Sequence, residues 1–333
     1  MNGDTVTNNK ASADALHWSS MREAGTLTGL RFLWAVHRYF GRPAVSFLLR
    51  PIVWYFVLFR AQARRGSLEF LTTHWQCYPE LWKKKPGLSA SLRHFREFAE
   101  TVVDKLMAWH LELDPNLFYI RDKETHRRLL NDTRGQLIIG SHLGNIEYCR
   151  GFMQRYKSQT INVLLHDRHA QNYVAMMQSM NPQSRVNVFQ VDEFDITTIL
   201  QFKDKIDAGE WVFIAGDRTP PSGNTRTVAV TFMGRTAHLP IGPYLLARAL
   251  ECPVKLMFAY RNYCGDDNRL YFDVVDFADQ IKLPAKRRQQ LLQDYAQQYA
   301  NHLEKVCREA PYQWFNFYSY WADSPHSNTP GDH

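Results

Sequence analysis

Five cysteines, Cys77, Cys149, Cys252, Cys264 and Cys307, are scattered through the 333 residues, and no two of them make a Cys-x-x-Cys pair. That spacing offers neither a zinc site nor a disulfide framework, and free thiols imply a reducing compartment. No Gly-x-Ser-x-Gly elbow occurs, which excludes a serine nucleophile presented in that way. Residues 1–16 lack the apolar stretch a secretory leader needs and read as a disordered tail, as do residues 322–333. Long uncharged apolar runs are missing too: the longest in the N-terminal region, Pro51 to Phe59, is too short for a hydrocarbon core of ~30 Å. Acidic residues are absent from Arg31 to Arg65, where seven arginines fall.

That arginine-rich stretch lies within residues 17–87, a segment dense in large apolar side chains from Leu30 onward and interrupted by Arg31, Arg38, Arg42 and Arg50. Basic, aromatic-rich helices of this kind lie in a membrane interface, and anionic headgroups attract them. The other reading is a pair of core helices whose arginines extend their heads to water. The net charge of +7 raises nucleic acid as a partner, but the basic residues are interleaved with bulky aliphatics and no nucleic-acid motif is present. Hydrophobic content of 45% and aromatic content of 14% suit a globular body with a large buried or membrane-facing surface.

Residues 88–321 read as an α/β domain: a mostly parallel central sheet flanked by helices. A helix follows Ser89 or Ser91, with an apolar stripe through Leu92, Phe95, Phe98, Ala99, Val102, Val103, Leu106 and Met107, and Asp114-Pro115 ends it. Strands are expected at Leu137–Gly140, Ile161–Asp167, Arg185–Val191, Trp211–Gly216 and from Val254. Helices are expected after Asp195, from Tyr244 to Leu250, and from Ala285 to Cys307. Alternation at this spacing argues for right-handed parallel crossovers.

The stretch Gln136 to Tyr148 reads QLIIGSHLGNIEY. A buried strand ends at Gly140, a helix opens near Ile146, and His142 falls at the strand's carboxyl end, where open α/β sheets place their ligands. Glu147, in the first helical turn, can reach back toward His142, and a ring held by a carboxylate can act as general base on a hydroxyl. With no protein nucleophile in view, that hydroxyl would be the substrate's. Asp217-Arg218, after the Trp211 strand, places a second polar cluster at the same sheet edge; ion pairing between the two is the alternative reading. His166 and His169 share a His-x2-His spacing, but no third ligand accompanies them, so no metal is expected.

SHLGNIE resembles the HxGNWE signature of the bacterial lipid A late acyltransferases and phosphatidylinositol mannoside acyltransferases, in the lysophospholipid acyltransferase superfamily whose motif is His-x4-Asp/Glu. Ile146 stands where Trp is usual. The resemblance continues, in order, through Asp217-Arg218, a TPPSGN loop, VTFMG, Pro240-Ile241-Gly242-Pro243, Cys252-Pro253-Val254 and the aromatic block from Pro311 to Trp321, so it covers about Leu88 to Trp321. Residues 17–32 are similar to a subgroup linked with aryl polyene pathways.

The resemblance implies transfer of an acyl group from a thioester, on acyl carrier protein or coenzyme A, to a hydroxyl of a lipid or glycolipid. No cofactor is implied, because the thioester is itself a co-substrate. His142 would be the base and Glu147 its orienter, backbone N–H groups near Gly144 and Asn145 would be oxyanion donors, and Arg218, beside Asp217, would hold a negative substrate group. The location implied is the cytoplasmic face of a bacterial inner membrane, as a peripheral or monotopic protein. A hydrolase of lipid esters or thioesters, and a non-catalytic membrane scaffold on the same fold, are the rival readings.

Overall fold

Leu137 and Ile139 face one apolar core and Ile138 faces another, the alternation expected of a strand with both faces covered. This strand, β2 (Gln136–Gly140), is buried along its length. The structure, a computed structural model, describes residues 24–110, 118–149, 159–165, 185–190, 195–219, 226–261 and 269–321. The expected ends of the second and third strands, the histidines His166 and His169, Asp114-Pro115, the TPPSGN loop and both tails lie wholly or partly outside the described residues.

The chain opens with α1 (Ala24–Phe59), α2 (Ala61–Cys77) and α3 (Leu88–His110). Then come β1 (Phe118–Tyr119), α4 (Lys123–Asn131), β2, β3 (Ile161–Leu165) and β4 (Val186–Gln190). They are followed by α5 (Ile196–Asp207), β5 (Trp211–Ala215), β6 (Thr227–Phe232), β7 (Arg235–Pro240), α6 (Gly242–Leu250), β8 (Val254–Arg261), β9 (Leu270–Ala278) and α7 (Arg288–Glu309). Asp195 caps α5 as its sequence position implies, its carboxylate accepting from Thr198 N–H at 2.7 Å.

Seven strands form one sheet in the order β1-β9-β8-β2-β5-β3-β4, parallel throughout except for the β8–β9 pair. The sheet is therefore mixed. Strand β9 and the short β1 beside it were not expected from the sequence. A separate hairpin, β6–β7, was also unforeseen. Its two-residue turn is Met233-Gly234, both at positive φ (51° and 71°), which suits the twist of paired strands. Gln297 of α7 pins this hairpin by bonding both Thr231 N–H and C=O at 2.8 Å.

The N-terminal helix is broken at Gly41, where φ is 74° and ψ −179°, a conformation that a residue with a Cβ adopts only under strain. Beyond the break, Arg42 pairs with Asp104 of α3 at 2.5 Å and Glu100 at 3.4 Å, and Val45 and Leu49 pack with Val103. Phe32, Tyr39, Phe40, Phe47, Trp54, Tyr55, Leu58 and Phe59 are left exposed. By length and composition alone, Phe32–Phe59 could cross a membrane.

Candidate active site

Parallel pairing decides where the site falls. Gly140 at the end of β2 is in register with Ala215 at the end of β5, and His142 and Asp217 each lie two residues farther on. The two side chains therefore meet above one sheet edge. The Asp217 carboxylate is fully buried and accepts three hydrogen bonds: His142 Nδ1–H at 2.8 Å, His142 backbone N–H at 3.0 Å and Trp314 Nε1–H at 3.0 Å. Burial pushes its pKa up, but the charge and hydrogen bonds of His142 and the nearby Arg218 outweigh that, and it stays well below the usual carboxylate range.

With Nδ1 held, His142 turns Nε2 toward the open side of the site; 44% of its side chain is exposed. Surrounding protein lowers its pKa by desolvation, and the Arg218 charge lowers it further, with Lys105 adding to that; Asp217 acts in the opposite direction. The lowering favours the neutral ring, whose lone pair is what a general base requires.

The orienting carboxylate is thus Asp217, where Glu147 was expected to hold the ring. Glu147 lies in the helical turn after the loop, its N–H bonded to Asn145 Oδ1 at 3.1 Å, and it is the first charge acting on Lys105 of α3. Burial lowers the Lys105 pKa, Glu147 raises it and Arg218 lowers it, so Lys105 is a further titratable group near this site that sequence reading missed. Its place on α3 beside the apolar stripe gave no hint of chemistry.

The backbone donors expected at Gly144 and Asn145 are spent inside the fold. Gly144 N–H bonds Gln313 C=O at 2.8 Å and Asn145 N–H bonds Ala259 C=O at 2.8 Å. Gly144 has φ +64°, and a Cβ there would lie 2.0 Å from Ala259 O, so the motif's glycine is demanded by close approach to β8. Arg218 forms no ion pair with Asp217. Its Nη2 donates to Phe315 C=O, its guanidinium lies 5.7 Å from the Tyr318 ring centroid, and its Nε is buried without a partner. A cation with an unspent donor beside His142 can stabilise an oxyanion.

The C-terminal aromatic block encloses this loop. Phe315 N–H bonds His142 C=O at 3.2 Å, Tyr320 O–H bonds Asp217 C=O at 3.1 Å, and Leu143 bridges Trp314. His94 of α3 anchors the block by donating from Nε2 to Trp314 C=O at 3.0 Å, while its Nδ1 accepts from Ser67 of α2 at 3.0 Å. The block's density of aromatics with polar edges was visible in sequence; that it builds the site was not. Among the described residues no His, Cys, Asp and Glu cluster could hold a metal ion.

Comparison with known families adds one match. The family model described as bacterial lipid A biosynthesis acyltransferase matches residues 15–322, nearly the whole chain. No curated protein matches.

Proposed function

Since this chain belongs to the bacterial lipid A biosynthesis acyltransferase family and is an acyltransferase acting on lipid, we propose that it moves an acyl group from a thioester, on acyl carrier protein or coenzyme A, to a hydroxyl of a lipid or glycolipid. The observation that carries the reading is the buried Asp217 holding His142 Nδ1 at 2.8 Å at the sheet edge, which leaves Nε2 to act on substrate. Nε2 takes the acceptor's hydroxyl proton as that oxygen attacks the thioester carbonyl. The carbonyl oxygen becomes an oxyanion, and Arg218 and Lys105 stabilise its charge. When the intermediate collapses, the C–S bond breaks, the thiolate leaves with the proton from the imidazolium, and His142 is neutral again.

A thioester is already activated, so no covalent enzyme intermediate is needed. The exposed apolar side chains of α1, its arginines, and its packing on α3 support a peripheral or monotopic protein on the cytoplasmic face of an inner membrane. The test is acyl transfer by the purified full chain, using acyl carrier protein and coenzyme A thioesters with a bacterial lipid extract and mass spectrometry of the products. Transfer that falls ~10²–10⁴-fold in His142→Ala, with folding kept, supports the base assignment. Free fatty acid formed at the same rate without acceptor would establish the hydrolase reading. No transfer by the wild type would establish the scaffold reading, and an unchanged rate in His142→Ala would remove His142 from the mechanism.

A further inference from the structure

Two histidines outside the loop that carries His142, His74 of α2 and His94 of α3, are wholly buried, and burial holds the pKa of each down at about 4. Each is therefore neutral, with one ring nitrogen donating and the other accepting. Its partners fix the tautomer of His94. The Trp314 C=O, 3.0 Å from Nε2, can only accept, so Nε2 carries the proton and Nδ1 accepts from Ser67 Oγ at 3.0 Å. Ser67 Oγ, its own proton spent, accepts in turn from Ser91 Oγ at 2.9 Å. The bonds thus run in one direction, from Ser91 through Ser67 and His94 to the main chain of Trp314.

The side chain of Trp314 reaches the His142–Asp217 pair. Its indole Nε1–H donates to Asp217 Oδ2 at 3.0 Å, and Asp217 Oδ1 holds the His142 ring. The His94 ring lies 4.7 Å from that of Phe317 and 5.8 Å from that of Phe70, so it is wedged where it stands. Helix α2 comes so close that a Cβ on Gly66, beside Ser67, would lie 2.4 Å from Tyr318 N. Apolar side chains could fill this contact with no polar group to satisfy. A buried network of three side chains instead admits one arrangement of the Trp314 backbone, and with it one direction for the indole N–H. His74 makes the contrast: it accepts from Trp82 Nε1–H at 2.9 Å and donates to Cys307 C=O at 3.2 Å, so its chain of bonds ends inside α7.

We propose that His94 is a positioning residue for the His142–Asp217 pair: through Trp314 it aims the indole N–H at Asp217, so that α2 and α3 contribute to catalysis as well as to the fold. Its kinetic consequences rest on the acyl-transfer reading; the placement of the indole does not.

The test uses the detergent-solubilised full chain. His94→Phe keeps a ring and removes both hydrogen bonds, whereas His94→Gln keeps an N–H for the Trp314 carbonyl. In His94→Phe kcat should fall roughly tenfold with KM little changed. The acid limb of the rate–pH profile should move to higher pH, because Asp217 without the indole bonds more strongly to His142 and raises its pKa. Ser67→Ala, a smaller change that frees the ring to turn, should act in the same direction by a smaller factor, and His94→Gln should recover most of the rate. Adding His94→Phe to Trp314→Phe should cost nothing further, since both act on one interaction. The control His74→Phe should lower the melting temperature without changing kcat or the acid limb. An unchanged kcat in His94→Phe, the same loss in His94→Gln or in His74→Phe, or multiplied losses in the double variant overturns the proposal. If the wild type transfers no acyl group, the acyl-transfer reading falls and the indole decides. In NMR spectra of tryptophan-labelled protein, the indole proton that Trp314→Phe removes should exchange with solvent roughly tenfold faster in His94→Phe than in the wild type or His74→Phe. Equal exchange in all three overturns the proposal.

Discussion

Asp217 holds both the ring Nδ1 and the backbone N–H of His142, at 2.8 and 3.0 Å, so one buried carboxylate fixes the imidazole and its main chain together. Asp217→Asn keeps the shape of the side chain and removes its charge, so the amide competes for the wrong tautomer of the ring. Turnover should fall ~10²–10⁴-fold. Glu147→Gln should cost less, because it removes a charge that acts on Lys105 and not the group that holds the ring. Steady-state kinetics on both variants decide the matter, and a larger loss in Glu147→Gln would return the orienting role to that residue.

Arg218 depresses the pKa of His142. In the wild type the acid limb of the rate–pH profile should therefore lie below the ordinary histidine value of about 6.5. Arg218→Gln removes a cause that lowers the pKa, so the limb should move to higher pH; Asp217→Asn removes one that raises it, so residual activity should move to lower pH. Opposite shifts in kcat/KM profiles are the expected result. No shift in either variant would show that the titrating group is not His142.

Trp314→Phe deletes the indole donor to Asp217 while keeping an aromatic ring against Phe70, Phe232 and Tyr320. Leaving one lone pair of a buried carboxylate unpaired should raise the Asp217 pKa and lower kcat by roughly tenfold, with KM little changed. A matching loss of thermal stability with an unchanged pH profile would make the indole a packing group only.

Gly144→Ala puts a Cβ 2.0 Å from Ala259 O at a φ of +64°. The loop must move off β8, which breaks the Asn145–Ala259 hydrogen bond, and activity should be lost with a fall in stability of about 1–3 kcal/mol. Chemical denaturation and activity together check this, and a fully active, equally stable variant would contradict the geometry.

Arg42 serves the fold before the membrane, since it pairs with Asp104, which is 4% exposed. Arg42→Ala should cost about 2 kcal/mol by leaving that carboxylate only Tyr148 and the more distant Arg261. Arg38→Gln, by contrast, should weaken binding to anionic vesicles and leave stability unchanged, with salt weakening wild-type binding as well. Flotation and thermal melting separate the two effects.

Local signals were legible in sequence wherever one element spoke for itself. The run Leu137–Gly140 marked a strand buried on both faces, Asp195 marked a cap, and alternating strands and helices marked a mostly parallel sheet. His142 at a strand end could be singled out for the same reason. Glu147 was chosen as its partner because it is near in sequence, whereas Asp217, 75 residues away, is near only because β2 and β5 pair in register. Hydrogen bonding followed the same rule: the motif's N–H groups looked available until Gln313 and Ala259 arrived to accept them. What the sequence determined by itself was which elements form and that His142 and Asp217 follow the ends of two of the strands, because those follow from side-chain type and short-range periodicity. Which carboxylate holds His142 and which donors are spent were decided by strand register and by the C-terminal block folding back, contacts between distant segments that no local pattern encodes.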